Sequence, residues 1–273
     1  MTWESDQRWS EITADDDNVL FNVAFGHGKF IAVGGATKAG HIVVTRDGKE
    51  WSEVSPAKSR VATIAFGYGR FVAGHGNEFL WSSDGEHWTN GAKIKFSGGM
   101  HPRKSAFGNG VFVTIGDCDP NWKFRTRFRS VTPDGVTLTS FSTNRPPESA
   151  IAFGAGRFVV VGKDGLRESS TNGSDWEHTM TEPGENLGSI VWTGTQFIVG
   201  GGKAACSSPD GINWTREKRG VPCTMLNAQS GVFVGASWGG NLWNSTNGLD
   251  WKKCAVAPQN SFEAVAFGKL ENK

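Results

Sequence analysis

Tyrosine occurs once in this chain, cysteine and methionine four times each, and no apolar run approaches the length of a membrane span. The missing run excludes a helical anchor within the sequence, so no membrane insertion is expected. The cysteines, Cys118, Cys206, Cys223 and Cys254, form no C-x-x-C pair and have no histidine at ligand spacing. That excludes a finger or ribbon metal centre, and neither a metal nor a cofactor is expected. Reduced, partly buried thiols are expected, since a chain of this size needs no disulfide staples. Charge of one sign is not in excess: 28 Lys and Arg stand against 27 Asp and Glu, net +1. The chain therefore lacks the electrostatic footprint of a nucleic-acid binder. Runs of Ala, Leu, Glu and Lys are scarce, which argues against a helical fold. There is no secretory-signal pattern, and the first residues read as part of the fold itself.

Glycine (37 residues), phenylalanine (18) and tryptophan (12) are abundant instead, a composition of short strands and tight turns. One phrase recurs: FGHGKFIAVG at 25–34, FGYGRFVAGH at 66–75, FGNGVFVTIG at 107–116 and FGAGRFVVVG at 153–162. Each reads as two alternating apolar strands joined by a Gly-x-Gly turn. A second phrase follows it: a hydroxyl residue, one variable residue, Asp or Asn, Gly, two variable residues, then Trp. It carries Asp47, Asp84, Asn172, Asp210 and Asn247, with Trp51, Trp88, Trp176, Trp214 and Trp251; a sixth copy keeps Asp134 but has Leu138 in place of Trp. The Asp or Asn side chain bonds backbone N–H groups just ahead of it, and Gly supplies the left-handed residue.

Two hairpins in about 40 residues make one four-stranded propeller blade. Inner strands begin near residues 22, 63, 104, 150, 189, 225 and 263. The last copy runs out of chain, and its missing half is found in ESDQRWSEI at 4–12. The expectation is thus an all-β, seven-bladed β-propeller of four-stranded antiparallel blades, one domain over 1–273. Its blades would span 20–56, 60–92, 103–143, 148–180, 187–218, 223–256, and 261–273 with 1–12. The N-terminal strand pairing with the C-terminal strands would close the ring and remove the exposed edges. Ala24, Ala65, Ala106, Ala152 and Ala266 share one inner-strand position, where Asn227 is the polar departure.

The turn phrase resembles the Asp-box, or bacterial neuraminidase repeat, shortened by one residue, and so places the chain near the sialidase-like propellers. That resemblance is specific for fold and nearly mute on activity. It implies that the boxes lie away from the ligand face and are structural, and that the chain resides outside the cytoplasm, extracellular or periplasmic. Sialidases use a tyrosine nucleophile; here the single tyrosine, Tyr68, sits in a hairpin turn on the opposite face, which argues against that chemistry.

Candidate binding residues lie in the connections between second and third strands and between blades. The longest departure, GDCDPNWKFRTRFRS at 116–130, holds Asp117, Asp119, Trp122, Lys123, Arg125 and Arg127. The alternation of Arg125, Arg127 and Arg129 puts them on one strand face, a pattern suited to an anionic sugar or a carboxylate. His101 and Arg103 precede the third blade, His75 and Glu78 flank an inner loop, and Trp238 stands between small residues as a stacking surface. Asp164, Glu182 and Glu185 are further acidic candidates, and no catalytic residue is assigned. The favoured reading is a non-catalytic, monomeric binding propeller for a carbohydrate such as an anionic glycan, ahead of a protein. The alternatives are a polysaccharide hydrolase or lyase, and an interaction module of a longer chain.

Overall fold

The computed structural model describes residues 2–3, 9–10, 19–36, 39–94, 99–119, 126–143, 145–180, 182–201, 205–217, 220–223, 225–229, 231–237, 240–256 and 262–268. Every described element is a β-strand. Strands β1 (Thr2–Trp3) and β2 (Trp9–Ser10) pair with each other, and six four-stranded antiparallel sheets follow. The first blade is β3 (Leu20–Gly26), β4 (Lys29–Ala36), β5 (Ala39–Thr45) and β6 (Ser52–Ala57). The second is β7 (Val61–Gly67), β8 (Arg70–His75), β9 (Glu78–Ser82) and β10 (Thr89–Lys93). The third is β11 (Gly99–Gly108), β12 (Val111–Asp119), β13 (Thr126–Thr132) and β14 (Thr139–Thr143). The fourth is β15 (Glu148–Gly154), β16 (Arg157–Gly162), β17 (Arg167–Ser170) and β18 (Glu177–Met180). The fifth is β19 (Ser189–Trp192), β20 (Phe197–Gly200), β21 (Cys206–Ser208) and β22 (Thr215–Arg216). The sixth is β23 (Met225–Gln229), β24 (Val232–Ser237), β25 (Asn241–Ser245) and β26 (Lys252–Val256).

The propeller therefore has six blades, and the expected seventh is corrected. Closure by the N-terminal strand is corrected too: Trp9 pairs with Trp3 and Ser10 with Thr2, not with the C-terminal segment. A hairpin across a few residues closes at far less chain entropy than a pairing across most of the chain. Residues 262–268 carry no strand, yet they lie against both neighbours. Asn227 Nδ2 donates to Val265 O at 2.8 Å, and a Cβ at Gly268 would stand 2.0 Å from the Phe25 ring.

Apolar faces meet blade against blade. Ile31, Val33, Ile42 and Val44 of the first blade pack on Ile64, Phe71, Ala73 and Leu80 of the second. The third and fourth meet through Val113, Ile115, Val131, Ile151, Phe158 and Val160. At each of the first joints an inner-strand glycine admits the next blade's aromatic ring. A Cβ at Gly108 would come within 2.0 Å of Phe153, and Gly67 with Phe107 and Gly154 with Trp192 repeat the fit.

The turn phrase behaves as its chemistry dictates. Thr45 Oγ1 accepts the Gly48 N–H at 2.9 Å, while Asp47 Oδ1 accepts those of Lys49 and Glu50 at 2.8 and 2.9 Å. The Lys49 N–H, foremost, holds the Asp47 carboxyl below its ordinary range. Trp176 folds its indole N–H back to Gly173 O at 2.8 Å, as Trp88 and Trp251 do at their own turns.

At the tips of the first hairpins, side chains reach over the next blade. His27 Nε2 lies 2.9 Å from Gly69 O, Tyr68 meets Phe107 edge-on at 5.7 Å, and Asn109 Nδ2 donates to Gly156 O at 2.8 Å. All three residues have φ between 43 and 49°, a left-handed conformation that ordinary side chains avoid. Because the strands alternate in direction, these tips and the box turns share one face. The connections from second to third strand, and from blade to blade, share the other, which is the mouth.

Candidate functional site

An arc of charge crosses the mouth from the second blade to the fifth. In the second, His75 ends β8 directly opposite Glu78, which starts β9. His75 is buried, its Nδ1 3.0 Å from Ser59 Oγ and its Nε2 3.8 Å from Glu78. Burial, foremost, holds its imidazole below the usual histidine range, with the Glu78 charge opposing. The carboxyl of Glu78 is itself lowered by Lys93, whose Nζ lies 2.5 Å away.

In the third blade, one row of paired positions runs His101, Asp117, Arg127 across β11, β12 and β13. Asp117 is buried and accepts from Arg103 Nε at 2.6 Å and from Arg127 Nη1 at 2.7 Å. Asp117, Arg103 and Arg127 are thus brought together, but Asp117 and Arg127 serve each other. Arg103 alone of the three is substantially exposed. Asp119 ends β12, with its side chain outside the described residues. Trp122, Lys123, Arg125 and Trp238 also lie outside them.

Between the third and fourth blades, Arg129 is buried on two carboxylates. Its Nε and Nη2 donate to Glu148 Oε1 at 2.8 and 2.6 Å, and Nη2 donates to Glu168 Oε2 at 2.5 Å. Its guanidinium stacks 4.1 Å above Trp176. Glu168 also faces Arg145 Nε at 2.8 Å and His178 Nδ1 at 3.5 Å. Burial pushes the Glu148 carboxyl above its ordinary range, Arg129 opposing.

Between the fourth and fifth blades the arrangement recurs. Arg167 is buried, with Nη2 3.0 Å from Cys206 Sγ and 3.5 Å from Glu182, and its guanidinium over Trp214 at 5.6 Å. Arg216 binds Glu182 and, at 2.6 Å, Glu185. Across the third to fifth blades, six guanidiniums face five carboxylates. Among the described residues no cluster of side chains is fit to hold a metal ion. Cys206 and Cys223 are free thiols; burial, with the nearby Cys254, pushes the Cys223 thiol up to about 12.

Arg167, Glu148, Glu168, Arg145 and Arg216 were not among the sequence candidates. A signal for the first was present. Aligned on the box hydroxyl, the residue three positions earlier is Ile42, Phe79, Arg129, Arg167, Ala205 and Leu242 in successive blades. Two arginines at a core register demand buried partners.

No protein-family model matches the chain, and no curated protein sequence does. Solved structures share its architecture. YCF48 from Cyanidioschyzon merolae superposes with a TM-score of 0.62 at 16% identity, covering 91% of this chain and 90% of that one. A YCF48 bound to a D1 peptide gives 0.63 at 18%, covering 92% and 85%. A protein from Lactobacillus plantarum gives 0.66 at 11%, covering 91% and 87%. At these identities the likeness shows the β-propeller fold alone.

Proposed function

We propose that this propeller is a protein-interaction module that takes an extended peptide segment of a partner across the mouth of its second to fifth blades. One observation carries the reading. Arg103, Arg145 and Arg216 have side-chain exposures of 48%, 48% and 49%, and each is braced from beneath by a buried carboxylate, of Asp117, Glu168 and Glu185 respectively. A guanidinium held on one edge and open on the other has already lost much of its rotamer freedom. It can donate to peptide carbonyls or acidic side chains at reduced entropic cost. The YCF48 propeller that holds a D1 peptide supports the peptide as ligand class. The sialidase-like affiliation belongs to this reading as well, and is supported by the six box turns.

The test is an array of extended peptides of varied acidity beside a glycan array, probed with the wild type and with Arg103→Gln, Arg145→Gln, Arg216→Gln combined. Peptide binding is expected, and to fall at least about tenfold in the triple variant. Binding to glycans alone would transfer the mouth to the carbohydrate reading.

A further inference from the structure

The pairing of inner and second strands slips at one equivalent point in four blades: between Leu20 and Asn22, Val61 and Thr63, Pro102 and Lys104, and Glu148 and Ala150. The residue after each slip is Asn22, Thr63, Lys104 or Ala150, so a charge enters this register in the third blade only. A bulge re-aims the side chain beside it. The Lys104 side chain leaves the third blade and ends with Nζ 3.4 Å from Glu263 O. Residues 262–268 lie between the sixth blade and the first, on the far side of the ring. The amine therefore reaches from the third blade across the ring.

Among the described residues its partners are few. The buried cations Lys29, Arg127, Arg129 and Arg167 each lie against a carboxylate. Lys104 is half-buried and, among the described residues, has one long hydrogen bond to a carbonyl and no ion pair. An ammonium has three donors, and removing it from water without acceptors is costly. Burial accordingly pulls its pKa down, with the Glu263 charge opposing.

We infer that Lys104 is the anchor of a small-oxyanion site, for a carboxylate or a phosphate, in the central channel. The oxyanion would supply acceptors that the described residues do not, and would neutralise the one cation of that register.

The test follows the Lys104 side-chain carbon resonance by NMR in 13C-lysine-labelled protein, with sodium acetate or inorganic phosphate titrated at constant ionic strength. A saturable shift is expected, and in saturating anion the titration midpoint of Lys104 moves up by about one pH unit, a tenfold linkage. Response to acetate alone assigns a carboxylate, and to phosphate alone a phosphate. Lys104→Gln should abolish saturation; if that variant fails to fold, the wild-type midpoint still decides. A midpoint indifferent to both anions overturns the proposal and leaves Lys104 as a strut to residues 262–268. Arg103→Gln, which weakens the proposed peptide surface, should leave the anion response unchanged, so the two readings fail separately.

Discussion

Arg129 and Arg167 occupy a register that neighbouring blades fill with Ile42, Phe79, Ala205 and Leu242, and each sets an ionic cluster into an otherwise hydrophobic joint. Arg129→Met would strand Glu148 and leave Glu168 to Arg145 and His178, and a loss of about 3–5 kcal/mol is expected in urea denaturation. Arg103→Gln removes a half-exposed partner and should cost less than about 1 kcal/mol while weakening peptide binding. His75 supplies a pH test. Its folded pKa lies below 6.5, so between those values the unfolded chain binds more protons. Stability is then full above pH 6.5 and declines as pH falls through that window. Denaturation from pH 5 to 8 should show this slope in the wild type and lose it in His75→Asn. Of these residues, Asp117, Arg127 and His75 were legible as candidates because they stand at loop ends. That Asp117 and Arg127 would serve each other was not, because pairing across strands is a property of register, which composition does not reveal.

The strands themselves were almost wholly legible. Alternation, Gly-x-Gly tips and the hydroxyl–Asx–Gly turn all state the same local geometry, and local geometry is what short hairpins obey. The bulges were not, since a slip of register leaves no mark in an apolar pattern. The joints differ in a way that makes a prediction. Gly108 and Phe153 interlock at 2.0 Å, but at the fifth-to-sixth joint the equivalent residues are Thr193 and Ala228, and no ring enters. That seam should open first: amides of β23 are expected to exchange before those of β7 and β15 in native-state hydrogen exchange. Equal protection on both sides would refute it.

At the scale of the whole molecule, counting inner-strand phrases counted one blade too many. A phrase becomes a blade only when a second strand hydrogen-bonds to it, and residues 262–268 have none among the described residues. Their attachment through Asn227 is correspondingly thin. Asn227→Leu should hasten proteolytic cleavage within 262–268 while peptide binding at the mouth stays unchanged; a loss of both together would show that the segment supports the mouth. The tip contacts of His27, Tyr68 and Asn109 bear on how such a molecule diversifies. They pin successive blades along one rim, like rivets along one edge of a fan. Insertions on the opposite rim need not retune the spacing of the ring, and new specificities can accumulate there without renegotiating the scaffold.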